Sequence, residues 1–208
     1  MDNITIGIVA REEEINNNLV EVITKNNLKY IKDKCNYFGI LCYDNNIYNT
    51  EILSICDGII IQGGTDIYPY YFQILDYAIK NNIPVLGICM GHQIIGLYSI
   101  NSTNDNDLIK VDNHNDKDIM HNINIKENTL LHKLFGDSLQ VNSRHSYALK
   151  EVNKPFIVSA LSEDNIIEAI EYIDDNNFVI GVQFHPEDMD NTEKLYNYFI
   201  KEILKRKK

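Results

Sequence analysis

Residues 84–93 read PVLGICMGHQ, and this stretch carries the strongest structural signal in the chain. Its apolar first half predicts a buried strand, and the residues from Met90 onward predict a helix. The two halves meet in the pattern Gly-x-Cys-x-Gly, with Cys89 at its centre. A turn this tight needs small residues two positions before and after the central one. The stretch therefore predicts a cysteine presented at the carboxyl end of a strand in an α/β fold.

The sequence around this turn repeats the alternation of strand and helix. Four strands are predicted at 4–10, 39–43, 57–61 and 84–88, and four helices at 26–36, 50–55, 69–80 and 90–98. Residues 101–115 are polar and predict a loop. Short strands are then predicted at 119–125, 139–142, 156–161, 166–173 and 178–184, with helices at 130–135 and 191–205. We therefore expect one domain over residues 1–208, with a doubly wound, mostly parallel sheet.

Composition excludes several classes of function. The formal net charge of -11 argues against binding to nucleic acid or to an anionic membrane surface, which both require basic patches. No apolar run approaches the roughly 20 residues that span a bilayer, and the N-terminus has no basic lead-in to a signal peptide. We expect a cytoplasmic protein. None of the four cysteines forms a Cys-x-x-Cys pair, so neither a zinc site nor a redox dithiol is predicted.

Cys89 has the surroundings of a nucleophile. A thiol at a helix N-terminus is favoured as thiolate, and the amide of Met90 is oriented to stabilise an oxyanion. Gly63-Gly64 follows the neighbouring predicted strand, where the Gly64 amide can supply a second donor. The alternative is a buried cysteine between two packing glycines, with Gly63-Gly64 an ordinary loop. The strand-turn-helix context favours the nucleophile.

A base for this nucleophile is predicted at His185. It stands in the run Gln183-Phe184-His185-Pro186-Glu187, where residues two apart in an extended segment point the same way. Glu187 can therefore orient the imidazole as the third member of a Cys-His-acid triad. Taken without Cys89, the same residues would be interpreted as a solvated surface turn.

These two motifs together resemble the class I glutamine amidotransferase superfamily. Residues 63–69, GGTDIYP, and 141–145, VNSRH, further resemble the γ-glutamyl-γ-aminobutyrate hydrolase branch. The resemblance implies a flavodoxin-like sheet flanked by helices, with a smaller added sheet. It also implies cleavage of γ-glutamyl amides without a metal or organic cofactor. By the same resemblance Gln93, Ser143, Arg144 and His145 are expected to contact the substrate.

The sequence departs from that branch at three places. Met90 follows the nucleophile at the position where that branch usually has Arg. Residues 70–72 take the place of a longer acidic segment, and His145-Ser146-Tyr147 replaces His-His-Gln. The leaving amine therefore stays open. A hydrolase acting on a small γ-glutamyl compound is the first hypothesis. The alternatives are a glutaminase subunit that passes ammonia to a separate synthetase, and a non-catalytic binding or regulatory module.

Four further histidines are present. His114 and His121 lie among aspartates, which allows a metal site, but a solvated polar loop is the favoured interpretation. His92, inside the helix that follows Cys89, is expected to pack in the core. His132 is expected to be structural or exposed.

Overall fold

The computed structural model describes residues 4–42, 50–174 and 176–207. The strands are β1 (Thr5–Val9), β2 (Arg11–Ile15), β3 (Asn18–Val22), β4 (Asn36–Ile40), β5 (Gly58–Ile61), β6 (Val85–Ile88), β7 (Leu108–Lys110), β8 (Asn115–Ile125), β9 (Ser138–Arg144), β10 (Tyr147–Leu149), β11 (Phe156–Ser162), β12 (Ile167–Tyr172) and β13 (Val179–Val182). The helices are α1 (Glu51–Ser54), α2 (Pro69–Lys80), α3 (Met90–Ser99), α4 (Leu130–Phe135) and α5 (Glu193–Arg206).

Within the described residues, nine strands form one sheet in the order β4-β1-β5-β6-β13-β12-β11-β8-β9. The first five are parallel, and the remaining four continue the sheet in antiparallel pairs. Two ribbons, β2-β3 and β7-β10, stand beside it. The predicted flavodoxin-like class is confirmed. The added antiparallel part extends the main sheet, and the separate small sheets are these two ribbons.

Both faces of the sheet are buried because the central strands are apolar at every position. Ile60 on β5 and Leu86 on β6 pack against α5. Their neighbours Ile59, Ile61 and Val85 face the opposite way and pack against α2 and α3. A parallel sheet covered by helices on both sides produces such unbroken β-branched runs. Strands β5 and β6 are therefore held rigidly where they end at the glycine loop and at Cys89.

Most predicted elements are confirmed to within a few residues. The predicted helix 26–36 is wrong: only a short 3-10 helix, Lys25–Leu28, forms, and β4 begins at Asn36. The buried Asn27 side chain donates a hydrogen bond to Gln62 Oε1 (2.9 Å), which fixes this segment as a turn. The predicted strand 39–43 begins three residues earlier, and Tyr43 lies outside the described residues.

The predicted loop 101–115 is also partly structured. It holds a 3-10 helix, Asp105–Asp107, and β7, which pairs with β10. The hairpin β2-β3 and strand β10 were not predicted. No helix in the described ranges is long and apolar enough to cross a membrane.

Helix α5 provides a test of the layered core. Phe199 is fully buried, whereas Leu204 on the same helix is exposed. Phe199→Ala should lower the free energy of unfolding by about 3–5 kcal/mol, because it removes a large buried ring from the sheet face. Leu204→Ala should change it by less than about 1 kcal/mol. Urea unfolding measures both, and equal losses would contradict the assignment of the buried face.

Candidate active site

Cys89 stands at the junction of β6 and α3 with a positive φ of 50° and a ψ of -102°, a backbone conformation that side chains with a Cβ rarely adopt. Both flanking residues must be glycine, because a side chain at either position would clash with neighbouring atoms. A Cβ on Gly91 would lie 2.1 Å from the carbonyl oxygen of Ile61, and one on Gly87 would lie 2.5 Å from Ile95 Cδ1. The predicted strand-turn-helix is confirmed. It leaves the nearly buried Cys89 at the carboxyl edge of the sheet.

His185 follows β13, the neighbour of β6, and its ring lies beside Cys89. Its Nδ1 is 2.8 Å from Glu187 Oε1, and this carboxylate is buried. Gly63 makes the approach of ring and cysteine possible. A Cβ on Gly63 would lie 2.8 Å from His185 Cε1 and 3.4 Å from Cys89 Cβ. The structure thus brings together the three residues predicted as a triad.

The environment of His185 favours its protonated form. Burial lowers the pKa of His185, but contacts with the Cys89 thiol and with the Glu187 carboxylate raise it more, to about 10. An imidazolium beside a cysteine favours the thiolate, which is the nucleophilic form. The pair therefore has the arrangement that nucleophilic catalysis by cysteine requires.

Asn142 on β9 holds the backbone of His185. Its Nδ2 donates to the His185 carbonyl (2.9 Å), and the His185 amide donates to its Oδ1 (2.8 Å). This double bridge spans 43 residues of sequence and fixes the segment that carries the base. Asn142 belongs to the VNSRH run, but nothing in that run alone indicated this contact.

Two glutamines lie behind the thiol. Gln183 Nε2 is 3.5 Å from Cys89 Sγ, and its Oε1 accepts a hydrogen bond from Gln93 Nε2 (3.2 Å). Gln93 Nε2 also donates to the Tyr147 carbonyl at 2.8 Å. Gln93, predicted to contact substrate, is thus engaged within the protein. Gln183 was missed as a site residue. The predicted extended segment is wrong, because residues 183–184 bend after β13 and Pro186–Asp188 forms a 3-10 helix. His185 and Glu187 therefore meet through this helical turn.

The two predicted oxyanion donors lie close to each other. Gly64 is so near Met90 that a Cβ on Gly64 would meet the Met90 side chain at 2.8 Å. Met90 is the first residue of α3, so its amide has no partner within the helix. The geometry is compatible with two amides converging beside Cys89, and their role stays a prediction.

A cleft of about 510 Å³ opens above Cys89 and His185. Gly63 and Gly64 form part of its wall. The remaining wall is strongly charged and comes from the β2-β3 hairpin, the loop after β5 and the end of β9: Arg11, Glu12, Glu13, Glu14, Thr65, Asp66 and Arg144. The hairpin residues were missed as site residues because the hairpin itself was missed.

The predicted substrate contacts at 143–145 fall in two groups. Arg144 lines the cleft and pairs with Asp188, which lies just beyond Glu187. Ser143 and His145 are buried outside the cleft lining, where Ser143 Oγ donates to the His114 carbonyl (2.8 Å) and His145 faces Glu168. Their contact with substrate remains a prediction.

Comparison with known proteins agrees with this geometry. A family model described as Peptidase C26 matches residues 70–187. A glutamine amidotransferase-like protein of Rickettsia prowazekii is 30% identical over 71% of this chain and 76% of its own length. Protein NtpR of Enterococcus hirae is 29% identical over 71% of this chain and 75% of its own. The chain belongs to the class I glutamine amidotransferase superfamily. Membership supports a hydrolase that acts on C–N bonds.

The chain is also similar to one part of a larger enzyme, CTP synthase. A CTP synthase of Methanosphaera stadtmanae is 29% identical over 78% of this chain, which corresponds to 37% of the synthase. Among solved structures, the glutaminase domain of Trypanosoma brucei CTP synthase with bound acivicin superposes with a TM-score of 0.69 at 19% identity, covering 98% of this chain and 94% of that domain. That structural match shows a shared fold.

Stability should depend on pH through His185. Below its ordinary pKa of about 6.5, folded and unfolded chains both carry the proton, so the stabilisation is fully present; it is lost as pH rises toward 10. Glu187→Gln removes one cause of the raised pKa. We expect it to lower the free energy of unfolding by on the order of 1 kcal/mol at pH 6, with the deficit shrinking by pH 10.

Urea unfolding at pH 6, 8 and 10 measures this dependence. Glu14→Gln is the matched control, because Glu14 is exposed and belongs to the hairpin. A deficit of Glu187→Gln that stays constant with pH would contradict the coupling of Glu187 to His185.

Proposed function

We propose that the chain is a cysteine-dependent hydrolase that cleaves the γ-glutamyl amide bond of a small compound, releasing glutamate and an amine. The observation that carries this proposal is Cys89 in a strained turn beside the His185–Glu187 pair, at the floor of the cleft. Membership in the superfamily supports the C–N bond as the target. The γ-glutamyl acyl group follows from the resemblance at 63–69 and 141–145.

In the first half of the reaction the Cys89 thiolate attacks the γ-carbonyl carbon. The carbonyl π electrons move onto oxygen, and the amides of Met90 and Gly64 stabilise the resulting oxyanion. The His185 imidazolium then gives its proton to the amine nitrogen as the C–N bond breaks. The products of this step are the free amine, a γ-glutamyl thioester on Cys89 and a neutral imidazole.

In the second half water replaces the amine. Neutral His185 takes a proton from water, and the hydroxide attacks the thioester carbonyl. Collapse of the tetrahedral intermediate expels the Cys89 thiolate and releases glutamate. Glu187 keeps the Nδ1 proton of His185 in place throughout, so that Nε2 exchanges protons with the reacting atoms. Apart from water, the two steps as proposed use only side chains and backbone amides of the chain.

The charges of the cleft favour a cationic leaving amine. Arg144 and Arg11 are each paired with a neighbouring carboxylate, Asp188 and Glu13 respectively. Glu12, Glu14 and Asp66 add further negative charge to the wall. We propose that Arg144 binds the glutamyl α-carboxylate and that the acidic hairpin attracts an amine carrying a second positive charge.

A glutaminase subunit is the second candidate, favoured by the similarity to CTP synthases. In that case the leaving amine is ammonia and a separate synthetase receives it. The purified chain would then release glutamate slowly by itself and faster with its synthetase. Cytoplasmic location and a single domain over residues 1–208 stay predictions from the sequence.

Cys89→Ala should lower glutamate release from γ-glutamyl amides by at least about 10³-fold, because it removes the nucleophile. Cys35→Ala, which changes a half-buried thiol outside the site, is the matched control and should keep wild-type turnover. Coupled detection of glutamate measures the rate. Hydroxylamine should also divert the wild-type thioester to γ-glutamyl hydroxamate. Turnover that persists in Cys89→Ala would refute the assignment.

A substrate panel tests the leaving amine. It should include glutamine and γ-glutamyl conjugates of a diamine, a neutral amine and an amino acid, all assayed with the wild type. We expect the highest kcat/KM for the diamine conjugate. Combined Glu12→Gln and Glu14→Gln should reduce that preference by about tenfold, with the neutral conjugate unaffected. Preference for an anionic amine would contradict the role of the hairpin.

A further inference from the structure

A second cluster of ionisable side chains lies buried outside the cleft lining. Its centre is Glu168 on β12, which is fully buried. Three imidazole nitrogens surround Glu168 Oε1: His121 Nε2 at 3.1 Å, His145 Nε2 at 3.5 Å and His114 Nδ1 at 3.6 Å. The ion-pair partners that the described residues offer this carboxylate are all histidines. Its negative charge therefore requires either protons on these rings or a bound cation.

The tautomer of His145 is set by Nδ1, the ring nitrogen that points away from Glu168. Nδ1 lies 3.1 Å from the Tyr147 carbonyl, which can only accept, so Nδ1 carries the hydrogen. In the neutral ring Nε2 then presents a lone pair toward Glu168. This Nε2 is buried and has no hydrogen-bond partner among the described residues. A lone pair facing a carboxylate is repulsive unless something positive lies between them.

His114 has the same arrangement with its two nitrogens exchanged: Nε2 is the donor, and Nδ1 faces Glu168. Its Nε2 lies 3.0 Å from Asp164 Oδ2 and so donates to that carboxylate. Nδ1 is left as an acceptor facing Glu168. Ser143 Oγ lies 3.2 Å from Nδ1, but its proton is directed to the His114 carbonyl at 2.8 Å. Two ring lone pairs and one carboxylate thus converge on the same small volume.

We propose that His114 Nδ1, His145 Nε2 and the Glu168 carboxylate bind a divalent transition-metal ion, with Zn²⁺ the best match. The three ligand atoms lie within 4.8 Å of one another. Bonds of about 2.1 Å in tetrahedral geometry place ligand atoms about 3.4 Å apart, close to the observed 3.5 and 3.6 Å separations. Two imidazoles and one carboxylate form a ligand set that zinc uses.

The groups around the cluster have the arrangement that a metal site needs. Histidines that bind metals give their second ring N–H to a carboxylate or a backbone carbonyl, as His114 and His145 do. Glu168 Oε1 accepts from His121 (3.1 Å), while Oε2 is buried without a hydrogen-bond partner among the described residues.

The location of the cluster points to a structural role beside the active site. The ion would join the residue just before β8, the turn between β9 and β10, and β12. The backbone carbonyl of Glu168 accepts a hydrogen bond from the backbone N–H of Gln183 (2.8 Å). The side-chain Nε2 of Gln183 in turn lies against Cys89 Sγ. The Tyr147 carbonyl that orients His145 also accepts from Gln93. The ion would therefore stabilise the layer that supports the thiol without contacting the substrate.

Metal titration of the full chain tests this site. The protein is produced without a histidine tag, stripped with a chelator and titrated with Zn²⁺ or Co²⁺ at pH 7.5. We expect about one equivalent to bind, a tetrahedral Co²⁺ absorption spectrum, and a Tm raised by roughly 5–10 °C at free Zn²⁺ about 100 times Kd. These readouts do not depend on hydrolase activity, so they can fail while the proposed function holds.

Variants separate this site from adventitious binding. Glu168→Gln and His114→Asn should each weaken binding at least about 100-fold, and using both covers the failure of either one to fold. His132→Asn, at a histidine paired with exposed Asp137, is the matched control and should bind as the wild type does. Cys89→Ser should keep the Co²⁺ spectrum.

Three results would overturn the site. The first is no uptake by the stripped wild type at 10-fold excess Zn²⁺. The second is unchanged affinity in the Glu168 or His114 variant. The third is a Co²⁺–thiolate band that disappears in Cys89→Ser, which would assign the ion to the catalytic cysteine.

Discussion

The strained, positive-φ backbone of Cys89 is the constraint on which the rest of the site depends. A non-glycine residue at φ 50° and ψ -102° costs of order 1–3 kcal/mol and persists only where its surroundings leave no alternative. Here the Cys89 amide donates to the Val182 carbonyl (2.9 Å), and Gly91 lies against the Ile61 carbonyl. The turn is thus held by the strands on either side of β6. Those same strands lead into Gly63-Gly64 and His185, so one strained residue aligns all three parts of the site.

The parallel half of the fold could be predicted because its signals are local. Runs such as Gly58–Ile61 are apolar at every position, and helices such as Pro69–Lys80 begin at a proline. The β2-β3 hairpin was missed because three consecutive glutamates are atypical of a strand. Its turn residues Asn16 and Asn17 both have positive φ, which is the backbone that asparagine tolerates in two-residue hairpin loops. The Asn16-Asn17 pair is therefore the sequence feature from which this hairpin could have been predicted.

The catalytic residues could be predicted where they stand close in sequence. Cys89 lies between its own glycines, and Glu187 follows His185 by two residues. The supporting contacts join distant segments: Asn142 to His185 over 43 residues and Gln183 to Cys89 over 94. No local pattern encodes them, because they arise when β9 and β13 reach the same edge of the sheet. Ribbon β7-β10 was missed for the same reason, since three-residue strands carry almost no periodicity.

The histidines show how composition can mislead about burial. The aspartates near His114 in the sequence predict a solvated loop, and this prediction is wrong: only 4% of His114 is exposed. Tertiary structure decides this, because His114, the residue just before β8, lies against Glu168, whose neighbours on β12 are apolar. Glu168 pairs with Gln183 across β12 and β13, and paired positions project from the same face. A carboxylate buried there is costly unless its charge is compensated. Gln183, the partner of Glu168 across the two strands, also contacts Cys89. A cation held by His114, His145 and Glu168 would therefore link the compensation of this buried charge to the rigidity of the layer that carries the nucleophile.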